Sequence, residues 1–253
     1  MDIEASNHRQ IERLNQRGGR TLSIVDLMEA GTISPQMAAY ALRAMAGGAS
    51  LLTGAVPGGA GKTTLMAAIL HFLPPRVPIV TTDRSAVIRE ALARPPEPAC
   101  YLAHEIGSGH WYGYIWGEDV ARFLSLIEGP RRIASCLHAD TLEELAGILT
   151  APPLGVSPEA LGRVDLVLFM HVDRGLRGTR RRVSTFHVAD GRGGHRLLYQ
   201  WEPEGDTFRQ AGDLADPQGL EPYAAFVRRL AEDGETDCRA VRRKVLAFYQ
   251  RGE

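Results

Sequence analysis

Cysteine is scarce and scattered. Cys100, Cys136 and Cys238 form no C-x-x-C pair. That excludes a disulfide framework or a zinc knuckle and fits a reducing compartment, so a cytoplasmic location is expected. No apolar run approaches the roughly 18 residues that a membrane-spanning helix needs. The polar opening "MDIEASNHRQIERLNQ" lacks a signal-peptide core. Neither sign of charge dominates: 29 Lys and Arg stand against 30 Asp and Glu, a net charge of −1. No global field therefore selects nucleic acid or a membrane surface, and nucleic acid is not an indicated partner. Internal repeats and low-complexity tracts are also missing. What is left is an ordinary globular composition, 44% hydrophobic and 23% charged over 253 residues. That length supports one large or two small domains with a real core.

Lysine is nearly absent as well, and here the exception is informative. The only lysines are Lys62 and Lys244; every other basic side chain is arginine. Lys62 lies in "VPGGAGKTT" (56–64), close to the pattern G-x-x-x-x-G-K-[ST] but with Val56 at the first glycine position. Gly58, Gly59, Ala60 and Gly61 let a backbone curl so that successive N–H groups face a phosphate. A compact ammonium fits between phosphates where a guanidinium does not. Pro57, Lys62, Thr63 and Thr64 complete the candidate loop, with Lys62 on the β- and γ-phosphates and the Thr63 hydroxyl on Mg²⁺. A β-branched Val56 is compatible if its φ is negative. The bland alternative is a tight turn between strand and helix.

The context supports the loop. "ASLLTGAV" (49–56) reads as a buried strand. The following helix carries Leu65, Met66, Ile69, Leu70 and Leu73 and ends at Pro74–Pro75. Upstream, Ser34 and Pro35 open a helix that Gly47–Gly48 stop. Further strands are expected at 77–82, 99–104, 131–137 and 164–172, with helices between them. Such alternation implies a parallel, doubly wound α/β sheet. After residue 173 the pattern changes to an antiparallel hairpin, "TRRRVSTFHVAD" and "GHRLLYQWEP" around "GRGG", and then to two amphipathic helices. The expected division is 1–48 as arm and helical lead-in, 49–173 as core, and 174–253 as hairpin and helices packed on it.

Asp83, Glu105 and His138 each follow a predicted strand. In an open parallel sheet ligands bind beyond the carboxyl ends of the strands. The set suits Mg²⁺, an attacking water and a γ-phosphate sensor. Taken singly, Asp83 reads equally as a helix cap and His138 as a structural ring.

These segments resemble the type II/type IV secretion and pilus ATPases, in particular their compact archaeal-like and conjugation-type branch. The stretch from "LSIVDLMEAG" to "AAILHFLP" is similar to the family's helical lead-in, Walker A loop and first helix. "EI" at 105–106 stands where its Walker B-like segment falls. "SCLHADTLEEL" is similar to its histidine box, and "DLVLFM" and "RRRVSTFHV" to the strands that follow. The resemblance covers roughly residues 20–210. It implies a RecA-like P-loop NTPase fold and a site for ATP and Mg²⁺. It also implies catalytic roles for Glu105, His138 and Asp83, with Thr63 and Glu105 on the metal. As partners it implies other copies of the chain, a hexamer in the family's usual motor, and a membrane-associated assembly.

The departures are specific. Thr81-Thr82-Asp83 replaces a T-I-E-D aspartate box, so Thr82 stands where an acid belongs. Gly107 takes an arginine position, "RPPEPA" shortens a segment that carries arginines, and the large N-terminal domain is expected to be lacking. "GSGHWYGYIWG" (107–117) reads as an insertion. Its Trp111, Tyr112, Tyr114 and Trp116 either stack on a base, grip a partner or fold back over core. The arginines of "RGLRGTRRR" (Arg174, Arg177, Arg180, Arg181 and Arg182) read as fingers offered to a neighbouring subunit, as a site for polyanions, or as a solvated hairpin edge. Three functions follow: an ATPase that is slow alone and active in an assembly, a nucleotide-binding module with little hydrolysis, and a small-molecule kinase.

Overall fold

A computed structural model describes residues 2–15, 18–175 and 178–251. In chain order the helices are α1 (Ile3–Glu12), α2 (Ile24–Glu29), α3 (Pro35–Ala46), α4 (Lys62–Leu70), α5 (Ser85–Leu92), α6 (Glu118–Leu124), α7 (Leu142–Thr150), α8 (Pro158–Leu161), α9 (Pro217–Glu232) and α10 (Cys238–Arg251). The strands are β1 (Leu51–Gly54), β2 (Ile79–Thr81), β3 (Ala99–Leu102), β4 (Glu105–Ile106), β5 (Tyr114–Ile115), β6 (Arg131–Leu137), β7 (Leu166–Gly175), β8 (Gly178–Ala189), β9 (His195–Glu202) and β10 (Thr207–Gln210).

The strands join in one mixed sheet of order β10-β9-β8-β7-β1-β6-β3-β2, with the short β4 pairing β6 and β5. From β2 to β7 all neighbours run parallel. From β7 to β10 they run antiparallel. The parallel half has helices on both faces, which is why its strands read as continuous apolar runs rather than as alternating ones. Successive residues of β1 and β7 serve opposite cores. Leu51, Leu166, Leu168 and Met170 join the core under α2, α3, α4, α9 and α10. Leu52, Val167 and Phe169 join the one under α5, α6 and α7.

The main strand and helix order follows the sequence expectation, but the short β4, β5 and β10 and the helix α8 were not expected, and the second half is joined differently. The hairpin expected after residue 173 extends the sheet instead of packing on it. β7 runs on to Gly175, through the expected boundary, and pairs with β8 along its length. A sheet whose last parallel strand would otherwise be an open edge is continued by antiparallel pairing, which leaves fewer bare N–H and C=O groups.

The other edge is handled differently. α1 is polar, yet its Asn7 is buried and makes two hydrogen bonds to the backbone beside β2. Asn7 Nδ2 donates to Val77 O at 2.8 Å, and Ile79 N donates to Asn7 Oδ1 at 2.7 Å. A single carboxamide thus occupies the donor and acceptor that a further strand would use. Arg242 of α10 holds the same helix through a two-pronged ion pair with Glu4, and also donates to His71 O and Leu73 O. Among the described residues no helix is long and apolar enough to cross a membrane.

Candidate functional site

The chain leaves β1 and has to turn back sharply to start α4. Gly59 and Gly61 have φ of 79° and 103°, the left-handed region where a side chain is strained. Gly61 is also tightly enclosed: a β-carbon there would lie 3.2 Å from Met170 Cε and 3.3 Å from Arg181 Cδ. Gly61 caps α4 without a side-chain hydrogen bond, so the first amides of the helix are left for another acceptor. The positive-φ non-glycine residues are Arg76 and Asp206, not Val56. Val56 therefore needs no glycine-like freedom, which accounts for the departure from the consensus. Its N–H donates to Asp140 Oδ1 at 2.7 Å, tying the loop to the turn after β6. Pro57 and Gly58 are exposed on the loop, Ala60 is buried, and Thr63 and Thr64 are half-buried in the first turn of α4.

Lys62 is buried, and its ammonium donates to Ala55 O at 2.8 Å. It lies 3.1 Å from His138 Nδ1. His138 follows β6, and its Nδ1 is also 2.8 Å from Val56 O, while Nε2 is 3.3 Å from Glu105 Oε1. One ring nitrogen cannot accept from Lys62 and donate to Val56 together, so the tautomer of His138 selects between them. Beneath them lies Cys136. Its thiol donates to His104 O at 3.0 Å, and both Thr63 Oγ1 (3.8 Å) and Glu105 Oε2 (3.9 Å) approach the sulfur. Burial, and then the nearby Glu105 charge, push this thiol up to about 12. It therefore stays protonated and does not compete as a thiolate for a cation.

Glu105 opens β4 with Tyr114 of β5 directly opposite. Burial, and then the Glu105 charge together with a hydrogen bond to that carboxylate, push the Tyr114 hydroxyl up to about 12. The phenol therefore stays protonated beside the carboxylate. The aromatic stretch 107–117 thus does two things at once. Tyr112 folds back edge-on against the buried His104 ring at 5.2 Å and accepts a hydrogen bond from Arg13 Nη1 at 3.0 Å. Trp111 and Trp116 stay 68% and 42% exposed.

Among the described residues, no group of three or more His, Cys, Asp or Glu is arranged to hold a metal ion. Mg²⁺ does not need one, because it keeps waters and takes one or two protein oxygens besides those of a phosphate. Thr63 Oγ1 and Glu105 Oε2, each of which approaches the Cys136 sulfur, are oxygens of that kind. The donor set fits a magnesium–polyphosphate complex.

The structure brings Lys62, Thr63, Glu105 and His138 together and leaves Asp83 apart. Asp83 follows β2, which β3 and β6 separate from β1, and its ionic partner is the adjacent Arg84 at 3.9 Å. Thr82 is fully buried; its N–H and its hydroxyl both donate to Leu102 O. Arg177 lies outside the described residues. Of the hairpin's other arginines, Arg174 Nη2 donates to Gly58 O at 2.8 Å and Arg181 Nε to Gly59 O at 2.9 Å. Arg180 pairs with Asp173, and Arg182 with Asp206. Sequence reasoning missed the loop contacts of Asp140, Arg174 and Arg181, the place of Cys136, and the Tyr114–Glu105 pairing. All but the Tyr114–Glu105 pairing join residues far apart in the chain. The one local signal was Asp140 two residues after His138.

No protein-family model matches this sequence and no curated protein matches it. Similar folds occur among solved structures. The VirB11 ATPase from the Brucella suis type IV secretion system, solved in complex with sulphate, is 19% identical with a TM-score of 0.43, over 72% of this chain and 55% of that one. The Legionella pneumophila ATPase DotB is 15% identical with a TM-score of 0.39, over 76% and 55%. The chain thus spans about half the length of either protein. Likeness at this level assigns neither family nor activity, and the chemistry of the site has to be read from its own residues.

Proposed function

We propose that the chain is a P-loop protein of RecA-like fold that binds Mg-ATP and hydrolyses it in the manner of secretion and pilus ATPases, as part of a homo-oligomer. One observation carries the reading. A loop with two left-handed glycines places Lys62, Thr63, Glu105 and His138 around a single point at the end of the central strand. The free amides of the α4 start and the Lys62 ammonium bind phosphate oxygens. Thr63 and Glu105 would hold Mg²⁺, which would supply charge neutralisation to the phosphate chain. Glu105, oriented by Tyr114, positions the attacking water, and His138 senses the terminal phosphate.

The test is a titration of the full chain with Mg-ATP, together with phosphate release. Lys62→Ala is expected to weaken binding by more than about tenfold, since it removes charge-assisted hydrogen bonds. The fold should persist. Equal affinity in wild type and variant would sink the reading.

A second reading, nucleotide binding with little turnover, draws on Thr82. Its hydroxyl is spent on Leu102 O, and the acid at the end of β2, Asp83, turns to Arg84. Saturable binding without phosphate release, at any protein concentration, would favour it.

A further inference from the structure

The four described arginines of the hairpin segment are not equivalent. Arg180 and Arg182 are neutralised by Asp173 and Asp206, at 3.0 Å and 2.7 Å for their closest pairs. Arg174 and Arg181 have no carboxylate partner among the described residues. Each instead places one donor on a neutral carbonyl of the glycine loop, Gly58 O and Gly59 O respectively. The aliphatic stem of Arg181 also packs on Gly61, where a β-carbon would meet its Cδ at 3.3 Å. Both side chains are exposed. Two uncompensated guanidinium groups therefore touch the loop whose curled amides and buried lysine already suit an anion.

We propose that Arg174 and Arg181 belong to the anion site itself, and act on the phosphate chain of a nucleotide bound by the same chain. This rests on the phosphate-binding reading of the loop. A guanidinium bonded to a neutral carbonyl has no opposite charge beside it, and four of its five N–H donors remain for an acceptor that carries one, as a phosphate oxygen does. When phosphate arrives, exchange of carbonyl for phosphate oxygen is favourable, and the flexible exposed stems allow it. The sequence alone left these arginines to a neighbouring subunit, to polyanions or to solvent; the contacts to Gly58 and Gly59 put them beside the loop of their own chain. Arg131 and Arg132 are no substitutes. They begin β6, at the opposite end of the sheet from the loop, and donate to Ala91 O and Met45 O.

Glutamine separates charge from bracing, because its amide keeps an N–H for the loop carbonyl. The experiment measures Mg-ATP affinity and the nucleotide-free melting midpoint of full-length Arg174→Gln, Arg181→Gln and the double variant, with Arg209→Gln as a distant charge control and Lys62→Ala alongside. Each single variant is expected to lose affinity about tenfold or more, at an unchanged midpoint. Glutamine variants that bind like wild type, while Lys62→Ala does not, would show that the arginines only brace the loop; the phosphate reading would stand and this inference fall. Failure of wild type to bind would remove both. Mixing Lys62→Ala chains with the double arginine variant adds a test of cis action. No recovered binding is expected, and recovery would mean that the arginines serve a neighbour's site.

Discussion

Glu105 and His138 form the pair whose chemistry is most exposed to a single substitution. Glu105→Gln keeps the shape and the Tyr114 contact but removes the negative charge that faces His138 Nε2 and approaches Thr63's neighbour Cys136. Phosphate release should fall by about 10²-fold or more with ATP affinity kept, on the scale of a lost positioned base. His138→Ala should slow turnover more than it weakens binding. Unchanged release in Glu105→Gln would move the carboxylate role elsewhere, and Asp83→Asn would then be the variant to assay. The positions of these two residues were legible in the sequence because each follows a predicted strand of a parallel sheet, a rule that needs only chain order. Asp83 satisfied the same rule, but strand order in the sheet, which the rule does not supply, put two strands between it and β1.

At the scale of elements, α1 and β8 are the instructive cases. α1 gave almost no periodic signal, since its attachment rests on Asn7, Glu4 and one buried apolar residue, Ile11. Its purpose is visible only once β2 is known to be an edge. Asn7→Ala leaves Ile79 N–H and Val77 O without their partners, and should cost about 2 kcal/mol. Chemical denaturation would measure this, and a cost below about 0.5 kcal/mol would mean that water takes over both bonds. The capped helices were easier. Ser34 with Pro35 announced α3, and the structure has it; Thr141 caps α7 in the same way. β8 was read correctly as a strand, but its partner β7 was not foreseen, because antiparallel pairing after a parallel run carries no local mark.

For the whole molecule, three histidines spread over α4's end, β3's end and β8 set a common acid limit. Burial pushes the His71, His104 and His187 rings down to about 4, helped by charges at His8 and Arg242, at Arg13, and at His195 respectively. The unfolded rings take protons near 6.5. Between those values the unfolded chain binds more protons, so stability is complete above about 6.5 and is lost as pH falls toward 4, by at most about 1.4 kcal/mol per pH unit for each ring. Thermal midpoints should drop over this window, and His104→Gln should flatten the drop. A flat profile would mean that these rings are protonated in the fold.

Lys62 and Lys244 are the only two lysines of the chain, one buried under the loop on Ala55 O, the other paired with Asp233 on the surface of α10. For acylating reagents the protein is therefore nearly blank. Apart from the terminal amine, a label can land only at a reference position, Lys244, or at Lys62. The rate of labelling at Lys62 relative to Lys244 becomes a clock for how often the loop lifts off its lysine, with no engineered probe required.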